Sequence, residues 1–389
     1  MQNSSMSYDY APIVEPLIEW FEKEKRNLPW RSNSVEEGNP DAYHVWISEI
    51  MLQQTRVEAV KEYFRRFIAE LPDIRALAEA EEDKLLKLWE GLGYYNRARN
   101  LQKAAKIIMA EYNGELPADY EALLSLPGIG SYTAGAIASQ AYGLSEPAVD
   151  GNVLRVTKRL SGSYDDITKA SVKKELEKNL KEVMPKEAQA GGYNRPGAFN
   201  QALMELGAIV CIPNGKPFCD KCPLKELCIA CQKDIVMELP VKPSKKARKL
   251  EDKTVLIIEY QGKFAIHKRG NKGLLAKLWE LPNLENKLSV SQMERLLEEN
   301  GILEYEMGLL GEAKHIFSHI EWHMLGYKVK IDKIAEESPL LEGMNILTKK
   351  KNILENETED FLWVKKEQID KEYAIPSAFR AYKKYLQKD

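Results

Sequence analysis

All five cysteines of this 389-residue chain fall within 21 residues, as Cys211, Cys219, Cys222, Cys228 and Cys231 in the run CIPNGKPFCDKCPLKELCIAC. Scattered thiols would fill a core or serve as spare nucleophiles, but four crowded around a Cys-x2-Cys step can converge on one soft cation as thiolates. A structural zinc and a four-iron cluster both take four thiolates, so the spacing alone leaves the metal open between them, with fortuitous crowding as the third alternative.

The length calls for two or three domains, and the 44% hydrophobic content is enough to give each a core. Lys plus Arg number 56 against 59 Asp plus Glu, a net charge of −3, so no global positive field advertises a nucleic acid and any such binding must be local. The N-terminal run MQNSSMSYDYAPIVEP has no basic stretch leading into an apolar one, and no apolar run approaches the roughly 18 residues needed to span a bilayer. These features imply a chain free of membrane, in a cytoplasm where thiols stay reduced and bind metals.

From about Pro12 to Leu227 the pattern is helical. Ile50, Val57, Val60, Phe64 and Phe67 step at helical spacing, as do Leu101, Ala105, Ile108 and Tyr112. The stretch LPVKPSKKARKLED has two prolines, a dense basic run and little apolar content, the composition of a linker in which Lys242, Lys245, Lys246, Arg248 and Lys249 are expected to be solvated. Beyond it TVLIIEY, KFAIHK, GYKVKI and FLWVKK read as strands, and SQMERLLEENG and SAFRAYKKYLQ as helices. The boundaries drawn are a helical domain over 1–235, a basic linker over 236–252 and an α+β domain over 253–389.

Three segments have the residue types for chemistry. In LPGIGSYTAGAI (126–137), Gly128 and Gly130 lack Cβ, so their N–H groups can approach a phosphate at the start of a helix, although the same turn also serves simple packing. In AVDGNV, Asp150 reads as the N-cap of a helix that turns Val153, Val156 and Leu160 inward; a helix N-terminus favours the ionised carboxylate, as a cationic sugar would require. Glu49 lies between Trp46, Ile47, Ile50 and Met51, where burial would raise its pKa, and the two carboxyls then form a pair pushed in opposite directions. A solvated Glu on a wet helix face is the rival reading. Gln53, Gln54 and Thr55 are placed on the same helix as Glu49, and Tyr94 and Tyr95 follow a Gly-Leu-Gly turn with Arg97 and Arg99 beyond, a mixture suited to a gapped base stack.

Taken in order, LPWR, SEIMLQQTRVEAV, GLGYYNRARNL, LPGIGSYTAGAI, AVDGNV, FNQALMELGA, the cysteine run, GLLAKLWELP and HIFSHIEW resemble the endonuclease III superfamily of DNA glycosylases, and most closely its adenine-specific branch, over nearly the full chain. The resemblance implies a mainly α helix-hairpin-helix glycosylase fold with an iron–sulfur loop (211–231), followed by a smaller α+β Nudix-like domain that checks oxoguanine. It implies a base excision repair enzyme, acting as a monomer on double-stranded DNA with adenine opposite 8-oxoguanine or guanine, and located with the nucleoid if bacterial.

Carried over by position, the resemblance gives Glu49 the protonation of adenine at N7 and later activation of water, and Asp150 the stabilisation of an oxocarbenium-like sugar. Tyr132 stands where lyase relatives have a Lys, and a phenol cannot form a Schiff base, which implies hydrolysis without strand cleavage. Trp30, Arg31 and Gln201 are implied around the extruded adenine, and Asn152 in contact with DNA. Gln54, Thr55, Leu92, Gly93 and Tyr94 are implied near the gap opposite oxoguanine, with Phe317, Ser318 and His319 as its checking loop. The metal becomes a [4Fe-4S] cluster on Cys211, Cys219, Cys222 and Cys228, with seven residues instead of six in the first gap and Cys231 left over or substituting for Cys228. Lys216, Lys221 and Lys225 then sit on a loop facing DNA. The insertion at 32–42 is expected to alter the pocket rim. His315, His319 and His323, spaced by four, would gather a metal only on a clean helical face, which Phe317, Ile320 and Trp322 oppose. Glu294, Arg295, Glu298, Glu299 and Gly301 form only an inverted remnant of a magnesium-binding Nudix box, so pyrophosphatase activity is not expected.

Overall fold

The computed structural model describes residues 8–31, 39–186, 194–243, 247–336, 338 and 361–386; the first seven residues of the 32–42 insertion, Lys245 and Lys246 lie outside the described residues. Up to residue 243 every regular element described is helical: α1 (Val14–Glu24), α2 (Ala42–Leu52), α3 (Val57–Glu70), α4 (Ile74–Glu79), α5 (Glu82–Leu88), α6 (Asn96–Glu111), α7 (Tyr120–Ser125), α8 (Ser131–Tyr142), α9 (Gly151–Ser161), α10 (Ala170–Val183), α11 (Arg195–Ile209) and α12 (Ile229–Gln232), with short 3-10 turns between them. The chain forms two units, Met1–Ala80 with Arg99–Ser244, and Glu81–Ala98 with Lys245–Asp389.

In the first unit α2, α8, α9 and α11 form the centre. Seven consecutive residues of α2, Val45 to Met51, are buried, as befits a helix with neighbours on all sides. The small residues of α8 allow close approach: a Cβ on Gly135 would lie 2.1 Å from the Pro147 carbonyl oxygen. The apolar stepping from Ile50 to Phe67 divides between two helices. Ile50 belongs to α2, while Val60, Phe64 and Phe67 are the buried face of α3. Gln53, Gln54 and Thr55, expected on the helix of Glu49, instead form the turn between α2 and α3, with Gln54 at φ 60°. Four polar residues in a row, Gln53 to Arg56, offer no apolar face to bury, so helix does not persist there.

The second unit holds β1 (Lys249–Tyr260), β2 (Lys263–Lys268), β3 (Trp279–Glu280), β4 (Asn283–Glu285), β5 (Ile302–Ile316), β6 (Ile320–Ile334) and β7 (Phe361–Val364), with helices α13 (Val290–Glu299), α14 (Lys366–Lys371) and α15 (Arg380–Lys383). The sheet runs β3-β2-β1-β6-β5, with β4 also on β1 and β7 on β2. Strands β1 and β6 pair in parallel, and the other pairs are antiparallel. β1 is central and buried on both faces, which is why VLII is an unbroken apolar run: Val255 and Ile257 pack with Trp322 and Phe379, Leu256 and Ile258 with Leu297 and Tyr327. His315 is near the end of β5, His319 sits in the hairpin turn and His323 is on β6, so the three imidazoles share no helical face. The segment Glu81–Ala98 is bound into this unit: Lys87 Nζ donates to the carbonyls of Ile369 and Tyr373 at 3.1 and 3.0 Å, and Lys383 Nζ reaches Glu90 at 2.8 Å.

Candidate active site

Where α2, α8, α9 and α11 meet, a pocket of about 700 Å³ is lined by Trp30, Arg31, Glu49, Gln54, Thr55, Tyr132, Asp150, Asn152 and Gln201, nine of the residues singled out from the sequence. Glu49 projects from the buried stretch of α2 and is itself 5% exposed. Its Oε2 accepts the hydroxyl of Tyr132, on the first turn of α8, and its Oε1 accepts Gln140 Nε2 at 3.2 Å, two turns further along the same helix. Burial raises the Glu49 carboxyl above its ordinary value; the Tyr132 and Gln140 bonds pull it back, and the nearby Asp150 charge adds to the rise. Burial and the Glu49 charge hold the Tyr132 phenol well above its usual value, so it stays a donor.

Asp150 caps α9 as its sequence context implies: Oδ1 accepts the backbone N–H of Asn152 and of Val153, both at 2.8 Å, and Oδ2 accepts Asn152 Nδ2 at 2.7 Å. Val153, Val156 and Leu160 are buried. The expected opposition of pKa values does not hold, because Asp150 is also raised. Burial outweighs the three donors and the Arg155 charge that favour its ionised form. The two carboxyls differ instead in their partners: Asp150 is gripped by backbone and amide donors at a helix N-terminus, and Glu49 by a phenol and an amide inside the core.

Glu205 was not foreseen from the sequence. It lies on α11, 1% exposed, and accepts Arg26 Nε at 2.6 Å, Arg26 Nη2 at 3.0 Å and Arg31 Nη2 at 3.0 Å. Burial would raise its carboxyl, but the Arg26 bonds and the Arg31 and Arg26 charges win and hold it below the ordinary value. This network fixes Arg31 at the pocket wall. The only sequence signal for it is a charged residue inside the apolar run ALMELGA. Gln140 was likewise hidden among the small residues of α8.

At the helix-hairpin-helix turn, Gly128 has φ +81° and a Cβ there would lie 2.7 Å from Asn100 Cβ, whereas Gly130, the N-cap of α8, faces open space. The first glycine is required by backbone conformation, and the second leaves the helix N-terminus open to an anion.

The second unit gathers a separate group. Trp89 Nε1 donates to the Gly93 carbonyl at 3.1 Å, and Arg97 Nη2 donates to the carbonyls of Leu92 and Gly93 at 2.9 and 3.1 Å. Leu92 is buried, while Tyr94, at φ 47°, is 51% exposed. Its hydroxyl is 2.7 Å from Ser318 Oγ. Ser318 and His319 are exposed in the β5–β6 turn, and Phe317 anchors that turn against Trp322 with ring centroids 4.9 Å apart. The described linker cations are exposed, as expected, and also make local contacts: Lys242 lines the pocket, Arg248 Nε donates to the Phe317 carbonyl at 3.2 Å, and Lys249 pairs with Glu251 at 2.9 Å.

All five thiols line one cavity of about 30 Å³. Among the described residues, however, no three His, Cys, Asp or Glu side chains stand together as a metal site. The donor set is nonetheless suited to a thiolate-bound group. Cys228 Sγ donates to the Arg159 carbonyl at 3.4 Å. Arg159 Nη1 lies 3.2 Å from Cys211 Sγ. Burial and the neighbouring thiols raise Cys219 to about 11 and Cys222 to about 12, so an added positive group is what would ionise them. Arg155 and Arg159, both on the helix capped by Asp150, donate to the Cys211 carbonyl at 2.9 and 3.3 Å and so tie the loop to the pocket. On the loop itself Lys225 pairs with Asp220 at 2.8 Å.

A helical unit with a hairpin-glycine turn, a buried carboxyl and a helix-capping aspartate defines a class. Residues 47–182 match the family model of HhH-GPD superfamily base excision DNA repair proteins, and residues 254–385 match that of the NUDIX domain. The chain is 37% identical to the adenine DNA glycosylase of Mus musculus and 35% identical to that of Rattus norvegicus, each match covering 87% of this chain and 74% of the relative. It is 33% identical to the adenine DNA glycosylase of Buchnera aphidicola, over 81% of this chain and 86% of that one. The chain belongs to the adenine DNA glycosylase family.

Proposed function

We propose that the chain excises adenine from duplex DNA in which it stands opposite 8-oxoguanine or guanine, hydrolysing the N-glycosidic bond and leaving the strand uncut. The observation that carries this reading is the meeting of two differently held carboxyls, Glu49 and Asp150, in one pocket large enough for a nucleoside. Adenine must leave the stack to enter it.

Glu49, kept protonated by burial, donates its proton to N7 of the flipped base. The C1′–N9 electron pair leaves with adenine as a neutral species. Asp150 stabilises the oxocarbenium-like sugar, whose charge favours its ionised form. The Glu49 carboxylate then takes a proton from the water that adds to C1′. Gln201 lines the same pocket, and its amide can pair with an adenine edge. Tyr132, a phenol bonded to Glu49, offers no amine to the sugar, which supports hydrolysis over lyase chemistry. Exposed Ser318 beside exposed Tyr94 supports a checking contact with oxoguanine.

Cys211, Cys219, Cys222 and Cys228 would hold a [4Fe-4S] cluster, with Cys231 the spare thiol. Such a cluster supplies a structural tie for the loop that Arg155 and Arg159 bind.

The test is a set of duplexes with adenine opposite 8-oxoguanine, adenine opposite guanine, and oxidised pyrimidines, with abasic sites revealed by alkali. Adenine release that vanishes in Glu49→Gln is expected. Absence of adenine release from the parent, or a strong borohydride-trapped adduct, would overturn the reading.

A further inference from the structure

Among the described residues five cationic side chains line the pocket, and four are committed. Arg26 and Arg31 are bound to Glu205. Arg155 is spent on the carbonyls of Cys211 and Gly207 and on Asn152 Oδ1. Lys173 donates to Ser131 Oγ at 3.0 Å and pairs with Glu177 at 3.5 Å. Lys242 alone is exposed and has no ion pair or side-chain hydrogen bond among the described residues.

Its position is fixed all the same. Leu239, three residues earlier, is 2% exposed, and its carbonyl accepts Arg159 Nε at 2.9 Å. Val241 packs on the same core, and its carbonyl accepts the backbone N–H of Ile167 at 3.3 Å. The start of the linker is thus fastened to the helical unit on both sides of Pro240 and holds one uncommitted ammonium at the pocket edge. A nucleotide in this pocket brings a phosphodiester on each side of its sugar, and Asp150 adds a negative charge beside them. A cation left unneutralised at that edge fits this anion.

We propose that Lys242 is a DNA phosphate-binding residue that neutralises one backbone phosphate next to the extruded nucleotide. The inference rests on the pocket being the nucleotide site.

The experiment measures binding of a duplex with 2′-fluoro-2′-deoxyadenosine opposite guanine, an analogue whose fluorine disfavours the cationic sugar, across a salt series, together with single-turnover adenine release from the natural mismatch. Lys242→Gln is expected to weaken binding severalfold and to reduce the slope of log K against log salt by about 0.9, one phosphate's worth of released counterions. The effect should appear in the enzyme concentration that half-saturates release far more than in the maximal single-turnover rate. Lys242→Arg should restore the slope, and Lys106→Ala, at a lysine that does not line the pocket, should leave it unchanged. A Lys242→Gln slope equal to the parent's overturns the inference while adenine release by the parent still stands. If the parent neither binds the analogue nor releases adenine, it is the reading of the pocket that fails.

Discussion

Tyr132 donates its hydroxyl to Glu49 Oε2, and this bond opposes the burial that raises the Glu49 carboxyl. The phenol therefore sets how far up the acid is pushed. Tyr132→Phe keeps the ring and removes the donor, so Glu49 should rise further and stay protonated to higher pH. The alkaline limb of the pH–rate profile for adenine release is expected to move upward. An unmoved limb, or one that moves down, would show that Tyr132 does not tune Glu49.

Asp150 has two jobs that substitution can separate. Asn caps a helix about as well as Asp, so Asp150→Asn should keep the fold while losing about 10²- to 10³-fold in rate, the scale for removing one preorganised electrostatic group. Asp150→Ala should lose the same activity and about 1 kcal/mol of stability besides. Because Asp150 is raised by burial and acts when ionised, the parent's acid limb should lie above the ordinary carboxylate value of 3.8. Rate profiles and denaturation midpoints check all three statements.

Burial of Glu49 has a stability consequence of definite sign. A carboxyl raised in the folded state above its ordinary value of 4.5 penalises the fold wherever the unfolded chain would ionise it, since folding must then either take up a proton or bury the charge. The penalty is absent below the unfolded value, grows as pH rises from the unfolded to the folded value, and is complete above it. Glu49→Gln should thus be inactive yet more heat-stable at neutral pH, by about 2–4 °C for each kcal/mol of penalty removed, and indistinguishable from the parent at pH values below about 4. A variant less stable at neutral pH would contradict this account.

The cysteines divide by burial. Cys228 is buried and its Sγ donates to the Arg159 carbonyl at 3.4 Å, whereas Cys231 is half-buried. Cys228→Ser should lose iron, visible absorption and thermal stability, and Cys231→Ser should retain them. Iron analysis and melting curves of both variants decide the assignment, and equal iron loss would make Cys231 a ligand.

Much of the architecture was legible because local rules and packing agreed. The TVLIIEY run reads as a strand and is one, and Asp150 ahead of Val153, Val156 and Leu160 reads as a helix cap and is one. Strand β5 was not read, because ILEYEMGLLGEAKHI lies at a sheet edge and is largely exposed, so it lacks an apolar run. Gln54 and Thr55, expected near the gap opposite oxoguanine and on the helix of Glu49, instead line the Glu49–Asp150 pocket from the turn after that helix, since proximity in sequence to Glu49 does not reveal where a helix ends.

The sequence by itself determined the two classes of domain, the helix cap at Asp150, the apolar setting of Glu49 and the grouping of thiols, all of which depend on neighbours within a few residues. Tertiary structure alone decided that Tyr132 and Gln140 hold Glu49, that Glu205 pairs with both Arg26 and Arg31, that burial raises Asp150 despite its cap, and that Lys242 stays uncommitted among the described residues. Desolvation and ion pairing depend on which distant side chains share a low-dielectric space, and no spacing along the chain encodes that.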